Sequence, residues 1–214
     1  MSDAHGGWTT TGSREVYSNP WIAVREDAVL RPDGGEGIYG VVTMQHPSVF
    51  VVAMDDDGAV LMVSLYRYAT RGMSLEVPAG GCDGDDPLDA ARRELLEETG
   101  FVASEWHEIG RMNALNGVCD APEFVYLATG LTIGGRADVE PRGSVGALGD
   151  GTVADAADIA SATVDVEAEQ AAEGIDAVRF VPWDEAMSLV RDSTISDGET
   201  VAALMYAALA TGRI

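Results

Sequence analysis

Three glutamates, Glu94, Glu97 and Glu98, stand at i, i+3 and i+4 directly after Arg93. On a helix that spacing gathers three carboxylates on one face, within reach of a common point. Like charges so placed destabilise a helix unless a cation binds between them. Mg²⁺ or Mn²⁺ takes carboxylate oxygens, keeps several waters and works beside phosphates. Arg93 is placed to orient one of the acids through a paired hydrogen bond. A solvated helix face can carry the same pattern, so the flanks decide. Upstream lies Pro78-Ala79-Gly80-Gly81, a turn whose glycines let backbone carbonyls and amides approach a ligand closely. A bare turn followed by an acidic helix is a device for holding a metal and a phosphate.

The elements that must position these groups are legible from local signals. Asp86-Pro87 is an N-cap followed by a first-turn proline, and Gly100 is a C-terminal stop. Between them Leu88, Ala91, Leu95 and Leu96 keep helical spacing. Leu75-Glu76-Val77 reads as a short strand running into the glycine turn. Ahead of it, β-branched and aromatic runs predict strands over about 21–31, 39–44 and 49–54. Asn19-Pro20 and Arg31-Pro32-Asp33-Gly34-Gly35 break these runs as turns. Asp55-Asp56-Asp57-Gly58 reads as a hairpin turn, with the strand from Ala59 to Tyr66 pairing back. Residues 1–12 are small and polar and read as frayed. After the acidic helix the pattern predicts strands near 105–112 and 123–129, a strand at 177–181, a helix at 183–191 and a last helix capped by Asp197 and reaching about Ala210. Residues 132–174, rich in Gly, Ala, Asp and Val, read as a flexible acidic insertion with a short helix near 154–161 or 166–172. The insertion is open to three readings: a lid, a partner surface or a solvated loop. The order of elements is that of an α+β fold, a mixed α/β/α sandwich.

Composition narrows the function. The chain of 214 residues has a net charge of -23, and all 13 strong cations are arginines. Nonspecific nucleic-acid binding and anionic membranes both need cations that this chain lacks. A phosphate-bearing substrate meets long-range repulsion, so the site must supply its own positive charge, and a bound metal is the simplest source. Such acidity fits either a salty cytosol or a codon bias against lysine. Cys82 and Cys119 are the only cysteines; they are too few for a disulfide scaffold or a zinc site and read as free small side chains. No apolar run reaches the ~18 residues of a membrane span, and the first residues lack a basic-then-apolar signal. The expectation is a cytoplasmic protein.

The run Asp85-x7-Arg93-Glu94-Leu95-x-Glu97-Glu98-x-Gly100-Phe101 resembles the signature of the Nudix hydrolases, Gly-x5-Glu-x7-Arg-Glu-Leu-x-Glu-Glu-x-Gly-hydrophobic. It departs from that signature in two ways. Asp85 stands where the family has glutamate, and four residues rather than five separate Gly80 from Asp85. Arg31-Pro32-Asp33-Gly34, Leu65-Tyr66-Arg67-Tyr68, Glu76-Val77-Pro78-Ala79-Gly80, Asn116-Gly117-Val118-Cys119-Asp120 and Ile195-Ser196-Asp197-Gly198-Glu199-Thr200 are similar to the ADP-ribose pyrophosphatase branch. The resemblance implies a Nudix-type sandwich over residues 46–214, preceded by a β element at 1–45 that packs against a partner in a homodimer. Trp8 and Trp21 are candidates for that interface.

The resemblance also implies the site. The Ala79 carbonyl, Glu94, Glu97 and Glu98 would hold Mg²⁺ (or Mn²⁺), with Arg93, Glu94 and Glu98 in the catalytic set. Arg67 and Glu76 would face a nucleotide-sugar substrate; Tyr66, an aromatic able to stack on a base, and Arg71, a scarce cation near the site, are read from the residues themselves as further substrate contacts. The general base stays open between Asp120, Glu123 and a glutamate of the helix, because the position where the branch carries its loop glutamate is Ala121 here. The activity implied is hydrolysis of a nucleoside diphosphate sugar, ADP-ribose first, to a nucleoside monophosphate and a sugar phosphate. Hydrolysis of a nucleoside triphosphate or dinucleoside polyphosphate, or ligand binding without catalysis, are the competing readings.

Overall fold

The computed structural model describes residues 3–134 and 164–214. A first sheet contains β1 (Asp3–His5), β2 (Trp8–Ser18), β3 (Ile22–Leu30) and β4 (Glu36–Met44), all antiparallel. It is completed by β10 (Cys119–Asp120), parallel to β4. The Asn19 side chain accepts the backbone N–H of Trp21 and of Ile22, which fixes the turn between β2 and β3. Where residues 1–12 read as frayed, residues 3–5 and 8–12 form strands instead. Thr9 and Thr10 pair with Leu30 and Val29, and the Thr11 hydroxyl donates to the Ala28 carbonyl. The partner strand supplies an order that local composition does not announce.

The central layer holds two sheets. β8 (Ala79–Gly81), β5 (Ser48–Ala53), β11 (Pro122–Ile133) and β9 (Phe101–Asn113) lie in the order β8-β5-β11-β9, with only β5 and β11 parallel. β12 (Ile175–Val181), β6 (Val60–Arg67) and β7 (Gly72–Glu76) form the second sheet in the order β12-β6-β7. This arrangement corrects the hairpin expected at Asp55–Gly58. The turn is there, with Asp55 accepting the backbone N–H groups of Asp57 and Ala59. The strands on either side share only a bridge between Met54 and Val60 and then part. Both edges of β5 are taken by β8 and β11, and both edges of β6 by β7 and β12, so neither strand can pair with the other.

Alternation along these strands builds two cores. Val49, Val51, Ala53 and Leu61 pack with Ala90, Ala91 and Leu95 of α1 (Pro87–Thr99). Phe50, Val52, Met54, Val60 and Met62 pack with Ala186 of α3 (Trp183–Arg191) and with Ala203, Leu204 and Ala207 of α4 (Gly198–Ala210). The result is the α/β/α sandwich of an α+β fold. Each fully buried Val, Leu or Ile in it contributes roughly 1.5–3 kcal/mol. α1 starts with Asp86 accepting from the Leu88 N–H and stops at Gly100, which adopts a φ of 75°. The expected insertion begins later than 132, since β11 runs to Ile133. Its far end is helical: α2 (Val166–Glu173), capped by Asp165 and ended by Gly174, lies against α1. The alternative helix near 154–161 lies outside the described residues. Among the described residues no helix is long and apolar enough to cross a membrane.

Candidate active site

Arg93 ties the acidic helix to the glycine turn. Its Nη2 donates to the Gly81 carbonyl at 2.7 Å, and its Nη1 lies 2.8 Å from Glu94 Oε1 and 3.1 Å from Glu97 Oε2. One turn further on, Glu98 Oε2 accepts the backbone N–H of Ala79 at 3.0 Å. The backbone of β8 and one face of α1 are thus laced together, and Gly80 sits at the point of closest approach. A Cβ at Gly80 would fall inside the Glu94 carboxylate, so glycine here leaves that carboxyl its place.

The helix face is not a solvated one. Glu94 and Glu98 are only 4% and 3% exposed. Burial pushes the Glu94 carboxyl up to about 7 against the favourable charge of Arg93, with Glu173 and Glu97 adding repulsion. Burial, then Glu173 and Glu94, push Glu98 up to about 9. Two carboxyls held in a low-dielectric cleft against more acids are short of positive charge. The donor set has the chemistry of a divalent-cation site, hard carboxylate oxygens beside a side-chain-free backbone turn; among the described residues no three acidic, histidine or cysteine side chains converge on one metal position as they stand.

Glu173 was not anticipated. It ends α2, and its carboxyl faces Glu98 and repels its charge, while the Gln170 side chain on the same helix donates to the Glu98 carbonyl at 2.8 Å. The sequence offered a short helix near 166–172, but the packing of α2 onto α1 is a long-range fact.

Other expected site residues divide by position. Arg67 donates from Nε and Nη2 to the two oxygens of buried Glu76, at 3.0 and 2.5 Å. Arg67 also lines a cavity of about 240 Å³ with Trp21, Met44, His46, Ser48, Phe50, Asp83 and the backbone of Ala79, Gly80 and Gly81. Of these, only Arg67 and Ala79 had been singled out in sequence as site residues. Tyr66 is half exposed at the end of β6, and Arg71 is exposed in the β6–β7 turn with a φ of 57°; neither lines that cavity. Asp120 sits on β10 beside Thr43 of β4. Glu123 is buried at the start of β11 and faces Glu199 and Asp197. The structure therefore brings Arg93, Glu94, Glu97, Glu98 and Ala79 together, adds Glu173, and sets Asp120 and Glu123 outside this cluster, on β10 and β11.

A family model for the NUDIX domain matches residues 44–204 of this arrangement. The chain belongs to the Nudix family. A second model, for the nucleoside diphosphate sugar hydrolase N-terminal domain, matches residues 8–42. Among Nudix relatives, the ADP-ribose pyrophosphatase of Mycobacterium tuberculosis (strain ATCC 25618 / H37Rv) is 38% identical over 135 residues, which span 62% of this chain and 65% of that protein, just under two thirds of its length. The ADP-ribose pyrophosphatase of Bacillus subtilis (strain 168) is 31% identical over 126 residues, 58% of this chain and 67% of that protein. A crystal structure of an ADP compounds hydrolase shares the Nudix fold along the whole of both chains, with a TM-score of 0.70 at 17% identity.

Proposed function

We propose that this Nudix protein is a Mg²⁺-dependent pyrophosphatase of nucleoside diphosphate sugars, with ADP-ribose as its first substrate and AMP and ribose 5-phosphate as products. The observation that carries the reading is the buried, under-neutralised pair Glu94–Glu98, laced by Arg93 and Ala79 to a glycine turn that opens onto the Arg67 cavity. The names of the two pyrophosphatase relatives support the substrate class.

Glu94, Glu97, Glu98 and the Ala79 carbonyl would hold the metal, which when bound supplies charge neutralisation on the diphosphate and a more acidic water. Arg93 keeps Glu94 and Glu97 in register with the glycine turn. Arg67, fixed by Glu76, offers a cation at the cavity wall for a diphosphate oxygen. Trp21, Met44 and Phe50 give that cavity an apolar wall for the base or its ribose. The attacking water forms a bond to one phosphorus as the bridging P–O bond breaks, and the departing phosphate leaves with its sugar. With Glu173 brought beside Glu98 from α2, the proton of that water would pass to a carboxylate of this acidic face.

The element at 1–45 is assigned to homodimer formation, since Val16, Tyr17, Trp21 and Ile38 leave apolar surface on the first sheet, from 48% to 73% exposed. Two free cysteines fit a cytoplasmic location. The test is hydrolysis of ADP-ribose with and without Mg²⁺, products identified, in the wild type and in Glu98→Gln. Turnover should vanish in the variant while its circular dichroism stays native. Full activity in Glu98→Gln would remove the site assignment.

A further inference from the structure

Beside the cavity stands a second acidic group that the chemistry above does not use. Across the central sheet, Gly81 of β8 pairs with Ser48 of β5, and Ser48 pairs in parallel register with Glu123 of β11. Gly81 and Ser48 line the cavity. Residues paired across neighbouring strands project to one face of a sheet, so Glu123 lies on the cavity's face of the sheet, one strand beyond Ser48 and just behind the lining residues. Two residues later Val125 enters the core against α4, which aims Glu123 at the start of that helix. There it meets Asp197, the N-cap, and Glu199 in the first turn. Glu76 approaches the same group, since the next residue, Val77, donates its N–H to Thr200 in that first turn.

Among the described residues, the cation that answers these four carboxyls is Arg67. Asp197 adds to the charge it feels, but both of its hydrogen bonds go to Glu76. Asp197 spends its side chain on the Thr200 N–H. Glu123 is left with nothing: it is 6% exposed, and its Oε2 has no hydrogen-bond partner. A buried acceptor without a donor is costly, and the cheapest remedy is a donor brought by a ligand. A sugar hydroxyl brings a donor and no charge. A phosphate monoester brings acceptors and up to two negative charges, which this wall repels at close range in a poorly screened cleft.

We propose that Glu123, Asp197 and Glu199 form a charge filter at the cavity, admitting an uncharged, hydroxyl-bearing group on the diphosphate and rejecting one that carries a further phosphate. The filter rests on the pyrophosphatase reading for the orientation of the substrate. It deepens that reading by setting nucleoside diphosphate sugars apart from nucleoside triphosphates and dinucleoside polyphosphates.

The experiment compares ADP-ribose with the same molecule phosphorylated on its distal ribose, at pH 8, in about 50 mM and about 500 mM salt. The wild type should favour the unphosphorylated compound by tenfold or more in kcat/KM at low salt, and the preference should shrink at high salt. The double variant Glu123→Gln/Glu199→Gln, which keeps side-chain shape, should lose at least fivefold of that preference by gaining on the phosphorylated compound. Binding of the same pair to Glu98→Gln in Mg²⁺ gives the comparison without turnover. Equal use or equal binding of the two compounds, or a double variant with the full preference, overturns the filter. A binding preference with no hydrolysis of ADP-ribose keeps the filter and overturns the pyrophosphatase reading.

Discussion

Gly80→Ala is the sharpest probe of the site, because it adds one methyl group at the contact between the glycine turn and the acidic helix. The new Cβ lies well inside 3.0 Å of the Glu94 carboxyl, a separation real Cβ atoms essentially never show. The atoms it meets are the far end of a flexible side chain, so the carboxyl yields rather than the sheet. Glu94 must retreat by about 1 Å, and it does so against its 2.8 Å pairing with Arg93. A misplacement of about 1 Å in a catalytic group costs on the order of 10²-fold in rate. Stability changes less. Gly80 has no positive φ to lose, so alanine recovers about 0.4–1 kcal/mol of unfolded-chain entropy, against about 1–3 kcal/mol for overpacking. The expected result is a kcat near one hundredth of wild type at saturating ADP-ribose, a raised Mg²⁺ requirement and a melting temperature within a few degrees of wild type. The assay is steady-state hydrolysis over a Mg²⁺ series, with thermal denaturation alongside. Wild-type kcat with wild-type Mg²⁺ dependence would refute the view that Glu94 works from the position seen here.

Three further outcomes follow from single contacts. Thr200→Val removes the hydroxyl that accepts the buried Val77 N–H at 3.2 Å, so urea denaturation should show a loss of about 1–3 kcal/mol; an unchanged midpoint would mean that the amide finds another partner. Gly110→Ala sets a Cβ against the Tyr206 ring, whose hydroxyl donates to the Arg111 carbonyl at 2.9 Å; stability should fall by about 1–3 kcal/mol with kcat retained. Glu123, pushed up to about 7 by burial and by Glu199 and Asp197, makes stability depend on pH. Its folded value lies above the unfolded one near 4.5, so its contribution is whole below that pH and is lost as pH rises through about 7. In metal-free buffer the wild type should therefore lose stability from pH 5 to pH 8 relative to Glu123→Gln; parallel curves for the two proteins would show that Glu123 titrates normally.

What the sequence revealed and what it hid divide by range. α1 and α4 were legible because each carries its own start signal; Asp86-Pro87 and Asp197 act within three residues of themselves. The cluster of Arg93, Glu94, Glu97 and Glu98 was legible for the same reason, since one helical turn holds it. The parting of β5 from β6 was not, because the turn at Asp55–Gly58 is identical whether the strands after it pair or diverge. What separates them is competition from β8, β11, β7 and β12, which lie far off in sequence. Glu173 and the Ser48–Glu123 adjacency were hidden likewise. Each depends on which distant element arrives beside it, and a sandwich with one parallel pair in its central layer makes many such arrivals.

The residues that break local rules point to the same end of the molecule. Glu94 and Glu98 occupy buried positions on α1 where an apolar side chain would stabilise the helix more. Gly80 weakens a strand that is only three residues long. Glu123 carries an unpartnered oxygen where β11 starts, beside a core of Val125 and Leu127. None of these choices helps the fold, and the α/β/α core away from them is conventionally packed. Apart from Asp27 on β3, whose Oδ1 also lacks a partner, these departures among the described residues gather along one rim, as local inconsistencies do at a site. The rim runs from Glu173 through Glu98, Glu94 and Gly80 to Arg67, and then to Glu123. Its first part lacks positive charge and its last part lacks a hydrogen-bond donor. A metal-bound diphosphate carrying a sugar supplies both in that order, which is why the same rim argues for the reaction and for the kind of group the reaction removes.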